Sequence, residues 1–399
     1  MSAPQLRFKD DNGRAFPAWQ SQLLGDISDV RDGTHESPKY YSEGYPLITS
    51  KNLLVTGAID LANVSLISEA DFSSINKRSK VESGDILFGM IGTIGNPVVV
   101  ATSNFAIKNV ALIKQKERLK NCFLVQYLKS SAALKRFENI TVGNTQKFIA
   151  LGKLRQLEIQ LPTLAEQTKI ANFLTAVDEK LAQLTRKHDL LTQYKKGVMQ
   201  QIFSQELRFK DDNGCDFPDW KEEKLGAIGK VSMCKRILKV QTSVNGDVPF
   251  YKIGTFGKQA DAYITQELYE KFRDLYPFPK TGDILISAAG TIGRTVVYDG
   301  KPSYFQDSNI VWIDNDESFV LNRFLIYCYE TIEWTTENTT IARLYNDNLK
   351  SVYLEFPTLA EQTKIANFLT AIDEKINATK TQLEAVKQYK QGLLQQMFV

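Results

Sequence analysis

The chain has 399 residues, of which 43% are hydrophobic and 24% charged, and its formal net charge is only +3. This composition is typical of a globular protein with two to three domains. It lacks any run of about 18 apolar residues and any basic-then-apolar leader, so we expect neither a membrane span nor a secretory signal. The nearly balanced charge permits a nucleic-acid partner but does not indicate one.

The four cysteines are scattered, and none belongs to a Cys-x-x-Cys pair. This spacing favours a reducing compartment and argues against a zinc site, so we expect a cytoplasmic protein without a metal. The cysteines are Cys122, Cys215, Cys234 and Cys328.

The first recognisable element is a lead-in segment, Leu6 to Trp19 (LRFKDDNGRAFPAW). It returns as Leu207 to Trp220 (LRFKDDNGCDFPDW), identical at eleven of fourteen positions. After each lead-in comes a block of unlike sequence, residues 16–161 and 217–356, with short β-like runs and a few helix-length segments. Because the framing segments agree while the blocks differ, we interpret the chain as one architecture that carries two specificities.

The two blocks share short glycine motifs. Gly84 to Leu87 (GDIL) and Gly92 to Gly95 (GTIG) recur in the second block as Gly282 to Leu285 and Gly290 to Gly293. We interpret the glycine pairs as tight turns after a strand. They do not form a phosphate loop, since no Lys-Ser/Thr pair follows at the required spacing.

The blocks also contain clusters of polar residues that suit DNA binding. Lys, Arg, Asn and Gln can read base edges, while Tyr and hydroxyl groups can hold phosphates. The predicted DNA-binding residues of the first block are Lys39, Tyr40, Thr49, Lys51, Asn52, Gln146 and Lys147. Those of the second block are Lys235, Arg236, Lys252, Arg294, Tyr304, Arg343 and Tyr345.

Each block is followed by a long predicted helix. Pro162 to Ala176 (PTLAEQTKIANFLTA) returns unchanged as Pro357 to Ala371, and apolar residues then recur in heptads. Five heptads with a narrow seam predict two coiled-coil helices, each roughly 60 Å long, which pair with each other in antiparallel orientation. The a and d positions are Ile170, Leu174, Val177, Leu181, Leu184, His188, Leu191, Lys195, Val198 and Ile202, and then Ile365, Leu369, Ile372, Ile376, Thr379, Leu383, Val386, Lys390, Leu393 and Met397.

Two details of these helices suggest additional roles. Thr163 and Glu166 form a capping-box pattern at the predicted helix start. Lys195 and Lys390 interrupt both seams at equivalent d positions; their stems could snorkel past the helix, or they could contact phosphate or a partner subunit. We therefore predict a partner-binding site at Tyr194, Lys195, Tyr389 and Lys390.

The order of these pieces is cyclic, because the chain stops after the second helix, where the first lead-in would come next. The predicted fold is α+β: two globular domains joined by two long helices packed as an antiparallel coiled coil, in a pseudo-two-fold cyclic repeat with neighbouring termini. The predicted domains are residues 1–161, 162–204, 205–356 and 357–399.

This arrangement resembles the specificity subunit of type I restriction–modification enzymes over essentially the whole chain. The resemblance is carried by the duplicated PTLAEQTKIANFLTA helices, each ending in a QYK segment, and by the duplicated RFKDDNG lead-ins with their FP and W residues. The GDIL and GTIG motifs and Asp32 to His35 (DGTH) also resemble that family's target-recognition domains, although the second block has no DGTH motif.

The resemblance implies a function. Each block would be a target-recognition domain that reads one half of a bipartite double-stranded DNA target, and the helices would set the spacer. Two modification (methyltransferase) subunits would bind the helices and carry S-adenosylmethionine, and restriction (motor and nuclease) subunits would join them. The chain itself would hold no cofactor and do no chemistry, which agrees with the absence of nuclease, ATPase and methyltransferase signatures from the sequence.

Two other classes of function remain open at this point. A coiled-coil scaffold would bind proteins without sequence-selective DNA binding. A two-domain enzyme with an unrecognised site would show turnover as an isolated chain.

Overall fold

A computed structural model describes residues 4–143, 147–334 and 344–398. Gln146 and Arg343, two of the predicted DNA contacts, lie outside the described residues. The chain divides into two compact units, the first formed by Met1–His188 with Thr379–Val399 and the second by Asp189–Ala378. Each unit therefore combines one block with parts of both long helices. Among the described residues, no helix is both long and apolar enough to cross a membrane.

In the first half of the chain, short strands alternate with short helices before the first long helix begins. The elements are β1 (Gln20–Leu23), α1 (Leu24–Ile27), β2 (Asp29–Asp32), β3 (Tyr45–Ile48), β4 (Ser65–Ile67), α2 (Glu69–Ser79), β5 (Ile86–Gly89), β6 (Gly95–Val99), β7 (Ala106–Ile107), β8 (Val110–Lys114), α3 (Asn121–Leu128), α4 (Ser131–Ile140), α5 (Leu151–Arg155), β9 (Glu158–Leu161) and α6 (Leu164–Phe203).

The second half of the chain follows nearly the same order and ends with the second long helix. Its elements are β10 (Lys221–Lys224), α7 (Leu225–Ile228), β11 (Gly229–Ser232), β12 (Val248–Tyr251), β13 (Tyr263–Ile264), α8 (Gln266–Leu275), β14 (Ile284–Ser287), β15 (Thr295–Val297), β16 (Tyr304–Phe305), β17 (Ile310–Asn315), α9 (Asn322–Thr331), α10 (Asn346–Ser351), β18 (Tyr353–Phe356) and α11 (Leu359–Met397).

The strands of each block form the same three sheets. The first block has an antiparallel sheet in the order β2-β8-β5-β6, a smaller sheet β4-β3-β7 in which β3 and β7 run parallel, and the pair β1-β9. The second block repeats them as β11-β17-β14-β15, β13-β12-β16 and β10-β18, with β12 and β16 parallel. The predicted α+β class and the internal repeat are both confirmed.

The central strands explain how the layers pack. All four residues of β5 are buried, and they alternate between two cores: Ile86 and Phe88 pack with the helices, whereas Leu87 packs in the other core cluster, with Ile48 of β3. This period-two alternation is what a strand with two covered faces requires.

The long helices pair through the predicted seam. Every predicted a and d position is buried or half-buried. In the first unit, Leu393 and Met397 near the end of α11 share a core with Ile170 and Leu174 near the start of α6. In the second unit the roles are exchanged, because the end of α6 packs with the start of α11. The start of each helix thus meets the end of the other, which confirms the antiparallel coiled coil.

The chain termini lie together in the first unit, as the cyclic repeat predicts. The Gln5 amide donates a hydrogen bond to the Gln396 carbonyl at 2.9 Å, and the rings of Trp19 and Phe398 are 6.4 Å apart. The unbroken chain of the second unit makes the corresponding contact between Trp220 and Phe203, with ring centroids 6.2 Å apart. The second lead-in follows α6 along the chain. The first lead-in packs against the end of α11 in the corresponding position, although the chain is not continuous there.

Side chains of each lead-in form hydrogen bonds with the first turn of the long helix that follows its block. Arg7 donates from Nε and Nη2 to the two carboxylate oxygens of Glu166 at 3.0 and 2.7 Å, and the Trp19 indole N–H donates to the same carboxylate at 3.0 Å. Glu166 is fully buried. The capping-box prediction is therefore half right: the Thr163 hydroxyl does accept from the Glu166 amide, but the Glu166 carboxylate binds the lead-in.

Candidate nucleic-acid interface

Loops at the ends of β2, β3, β5 and β7 meet along one edge of the first block. The Ser50 hydroxyl donates to the Asn109 carbonyl at 3.2 Å, and the Asn96 side-chain Nδ2 donates to the Leu53 carbonyl at 2.9 Å. We call this surface loop edge 1, which comprises residues 33–41, 49–53, 90–96, 108–109 and 147–148.

The GTIG motif forms the hairpin between β5 and β6 within loop edge 1. Gly92 and Gly95 have φ angles of 73° and 92°, which side chains other than glycine rarely adopt, so the predicted tight turn is confirmed. The Gly92 amide donates to the Lys147 carbonyl at 3.0 Å. This hydrogen bond holds the Lys147 segment against the hairpin.

The DGTH motif anchors the loop between β2 and β3. Asp32 is buried and pairs with Arg78 of α2, while the His35 ring places Nε2 2.9 Å from Asp32 Oδ2 and Nδ1 2.8 Å from Asn109 Oδ1. Gly33 is required here, because a Cβ atom would lie 2.2 Å from the Ile107 carbonyl oxygen. The loop is thus fixed at its base by the DGTH motif and at its far end by the Tyr41 amide, which donates to the Leu66 carbonyl of β4 at 3.0 Å.

The hydrogen bond that the His35 ring donates to the Asp32 carboxylate, followed by the one it donates to the Asn109 side-chain oxygen, raises the pKa of His35. Because the charged ring can donate from both nitrogens, the His35 hydrogen bonds stabilise the folded loop. Their contribution is complete at pH values below the ordinary histidine pKa of about 6.5. That contribution is lost as the pH rises through the raised pKa. The ring is more than half exposed, so the effect on stability is small.

The predicted DNA-binding residues of the first block separate into two groups. Lys39, Tyr40, Lys51 and Lys147 are exposed on loop edge 1. Asn52 is buried, and its side chain accepts from both the Thr49 amide and the Thr49 hydroxyl at 2.9 Å. The prediction for Asn52 is therefore wrong, because its amide group holds the turn after β3 together.

The second block builds a corresponding surface from the loops that end β11, β12, β14 and β16. The Ile253 amide donates to the Gln306 side-chain oxygen at 2.9 Å, and the Leu344 amide donates to the Ala288 carbonyl at 2.8 Å. We call this surface loop edge 2, which comprises residues 233–244, 252–256, 288–294, 306–309 and 344–345.

Most of the predicted residues of the second block that the structure describes lie on loop edge 2. Lys235 is exposed, with Nζ 5.0 Å from the centre of the Tyr276 ring, and Tyr345 is also exposed. Three others lie there with part of their polar groups engaged in ion pairs or hydrogen bonds. These are Arg236 with Asp307, Lys252 with Asp261, and Arg294 with the Phe256 carbonyl.

Tyr304 is the clearest failure of sequence reasoning in this block. The residue belongs to the short strand β16 and is fully buried, and its hydroxyl donates to the Lys235 carbonyl at 3.0 Å. Burial raises the pKa of this phenol, so it remains a neutral donor. Tyr304 therefore supports the Lys235 loop from behind and cannot contact DNA.

The predicted partner-binding residues also separate. Tyr194 and Tyr389 are exposed at matching places on α6 and α11. Lys195 places Nζ 2.9 Å from Asp373 and 3.1 Å from Glu330, and Lys390 pairs with Asp178. Both lysine side chains are largely buried in ion pairs inside their own units, which leaves the tyrosines as the accessible part of the motif.

Sequence reasoning missed the roles of four residues in or beside these edges. Two of them, Asp32 and Arg78, form an ion pair, and only the DGTH motif hinted that Asp32 matters. The apolar side chains of Leu238 and Val240 are exposed on loop edge 2, and a hydropathy pattern alone would have assigned them to the core.

A comparison with protein families matches both halves of the chain. The family model described as "Type I restriction modification DNA specificity domain" covers residues 18–193 and again 218–388. The chain belongs to this family. It is a specificity subunit with two DNA specificity domains, and members of the family serve in DNA recognition and not in catalysis.

Relatives agree with the assignment. A Haemophilus influenzae protein named as a type I restriction enzyme specificity subunit is 43% identical over 278 residues, covering 69% of this chain and 70% of the relative. The MjaX specificity subunit of Methanocaldococcus jannaschii is 24% identical over 416 residues, covering 97% and 94% of the two chains.

Solved structures support the fold. The specificity subunit of the type I restriction–modification system of M. genitalium matches with a TM-score of 0.66 at 16% identity, covering 100% of this chain and 99% of that one. A chain from a structure titled for complex assembly and conformational transition of the type I system matches with a TM-score of 0.56 at 19% identity, covering 95% and 97%.

Proposed function

We propose that each unit reads one half of a bipartite double-stranded DNA target, the first through loop edge 1 and the second through loop edge 2. The observation that carries this proposal is that one loop framework is built twice with different side chains. The loop after β2 is tied to β4 by the Tyr41 amide, and the loop after β11 is tied to β13 by the Ser243 amide. The backbone framework of the two loops is therefore the same, whereas the exposed side chains on the two loops differ.

The exposed chemistry of both edges suits a duplex. Lys39, Lys51 and Lys147 project from loop edge 1, and Lys235 and Lys239 from loop edge 2. Such side chains supply phosphate contacts that position a protein on DNA, while neighbouring amide, hydroxyl and apolar groups distinguish base pairs. A protein with a net charge of only +3 can bind DNA in this way, because these exposed lysines lie on the reading loops.

The helices would set the spacer between the two half-sites. α6 has 40 residues and α11 has 39, and each begins in one unit and ends in the other. A helix of this length is roughly 60 Å long, more than one turn of B-DNA, which is about 34–36 Å. Two half-sites separated by an unread spacer suit that length better than one contiguous site does.

The same helices would bind two modification subunits. Tyr194 and Tyr389 present the same exposed group at matching places, which predicts two copies of one partner. Those methyltransferase subunits would carry S-adenosylmethionine and methylate adenine, and restriction subunits would add the motor and nuclease. The complex would act in the cytoplasm, where the DNA is.

Exchange of one block tests this division of labour. Replacing residues 16–161 by the matching block of a relative should change one half of the methylated sequence and leave the other half and the spacer intact. The readout is the set of methylated adenines in a host that carries the complex. The matched control exchanges residues 217–356 and should change only the other half. If either exchange altered both halves, or neither, the two units would not be independent readers.

A further inference from the structure

The loop of loop edge 2 that follows β11 carries an exposed apolar tip. We define the apolar tip as Leu238, Val240 and Val244, whose exposed fractions are 56%, 89% and 79%. Isolated apolar residues are common on surfaces, but three within seven residues on a reading loop call for a physical account.

The apolar tip stands on a braced loop. The Leu238 amide donates to the Gln241 side-chain oxygen at 2.8 Å, and the Thr242 hydroxyl donates to the Lys239 carbonyl at 2.8 Å. Ser243 then exchanges two backbone hydrogen bonds of 2.9 Å with Tyr263 of β13. These bonds hold the tip in place, so its side chains remain presented to solvent.

The charges around the apolar tip favour a polyanion. Lys235 and Lys239 are exposed beside it, and Arg236 forms an ion pair with Asp307. A partner that meets this surface must combine negative charge with small apolar groups. The major groove of DNA offers both, since thymine carries a 5-methyl group beside the phosphate backbone.

The equivalent loop of the first block provides a contrast. It lies between the corresponding strands and has the corresponding tie to its neighbouring strand, but it presents Lys39, Tyr40 and Tyr41. Phenol rings carry a hydroxyl that donates and accepts hydrogen bonds, whereas valine can make only apolar contacts. The two edges therefore offer different chemistry at the same place in the frame.

We propose that Val240 contacts the 5-methyl group of a thymine in the half-site read by the second unit, with Leu238 packed beside it. The proposal rests on the proposed function and assigns a specificity-determining residue to it.

The test uses duplexes that differ by single methyl groups. The chain, assembled with its modification subunits, is titrated with its own target, in which each thymine is replaced in turn by deoxyuridine. One replacement in the half-site assigned to residues 217–356 should weaken binding about fourfold, because that is the affinity contributed by burying one methyl group. Val240→Ser should abolish this sensitivity, while Val240→Thr, which retains a methyl group, should keep it.

A matched control is Val55→Ser in the first unit, because Val55 is also highly exposed, at 85%. It should leave the response of the second half-site to deoxyuridine unchanged. If the complex bound its target selectively but tolerated every deoxyuridine in that half-site, the Val240 inference would fail while the proposed function stood. The same holds if Val240→Ser kept the full sensitivity to deoxyuridine. Binding without any sequence preference would overturn the proposed function as well. Fewer modification subunits bound to Val240→Ser, with the thymine response intact, would show that the tip meets protein instead.

Discussion

Glu166 and Glu361 are fully buried carboxylates, and the lead-in before each block supplies their partners. Arg208 reaches Glu361 at 3.2 and 2.8 Å, as Arg7 reaches Glu166 at 3.0 and 2.7 Å. A buried charge persists only when it is paired and hydrogen-bonded. The duplicated lead-in and the duplicated helix start therefore contact each other in both copies, and this contact holds the lead-in against the long helix.

This contact predicts a stability effect at a single residue. Arg7→Met leaves the Glu166 carboxylate buried without its cation, so we expect a loss of about 2–3 kcal/mol of unfolding free energy, measured by urea titration. The double variant Arg7→Met with Glu166→Met should recover part of that loss, because the stranded charge is gone.

Two variants serve as controls for this prediction. Arg208→Met should cost a similar amount in the second unit, because its contacts have the same geometry. Arg14→Met, on an exposed part of the same lead-in, should change stability by less than about 0.5 kcal/mol. A double variant no more stable than Arg7→Met would mean that a stranded charge is not the cause.

At the residue scale, residue type alone does not distinguish exposed polar side chains from buried ones. Lys51 and Asn52 are neighbours in one polar run, yet Lys51 is exposed and Asn52 is buried as the lock of the turn. Tyr304 is an aromatic residue of a type that often binds phosphate, but it belongs to β16 and is buried in the core. Polar residue types are common to both roles, and only the backbone direction decides between them.

At the element scale, the heptads predict the long helices well, because a seam repeated five times fixes both type and partner. The short strands are predicted only loosely, since runs of two to six residues carry little periodic signal. The lysines at d positions are explained only by tertiary contacts. Lys390 pairs with Asp178 and Lys195 with Asp373, in each case on the other long helix. Gln126 of α3 and Tyr327 of α9 donate a hydrogen bond to the same aspartates.

The two lysine sites have opposite surroundings. Lys129 and Glu330 stand at the same position relative to the starts of α3 and α9. Burial, and then the charge of Lys390, lowers the pKa of Lys129, while the charge of Asp178 partly offsets that effect. At the other site, Glu330 adds a second carboxylate to Lys195.

This difference predicts unequal effects of equal substitutions. Lys195→Leu would strand both Asp373 and Glu330, and we expect a loss of about 1–2 kcal/mol in urea unfolding. Lys390→Leu should cost less, because Lys129 remains near Asp178. Adding Glu330→Lys to Lys195→Leu should restore stability, whereas Glu330→Lys alone should lower it by placing two cations together. If Glu330→Lys had the same sign in both backgrounds, the charge balance would not explain the sites.

At the scale of the whole molecule, the cyclic repeat becomes a physical closure. The end of α11 and the first lead-in meet through the Gln5 and Gln396 backbones in the first unit, where the second unit has a continuous chain. The order of segments predicts this closure without any structure. The division into units, in contrast, could not be predicted, because it depends on where each helix end is buried.

The length of the helices should set the spacer of the DNA target and nothing else. Seven residues inserted after Leu184 would keep the heptads in phase and lengthen α6 by about 10 Å. On DNA this corresponds to at most roughly 3 base pairs, so we expect methylation at the same two half-site sequences with a spacer longer by about one to three base pairs.

The chain offers a matched variant, because Thr379 stands in α11 where Leu184 stands in α6, both of them buried on the seam. Seven residues added after both positions should give the full shift, since neither helix then has to accommodate the other. Three residues inserted after Leu184 would rotate the seam out of register and should lower stability without retuning the spacer. Full methylation with the original spacer in the double insertion would show that the helices do not measure the distance between half-sites.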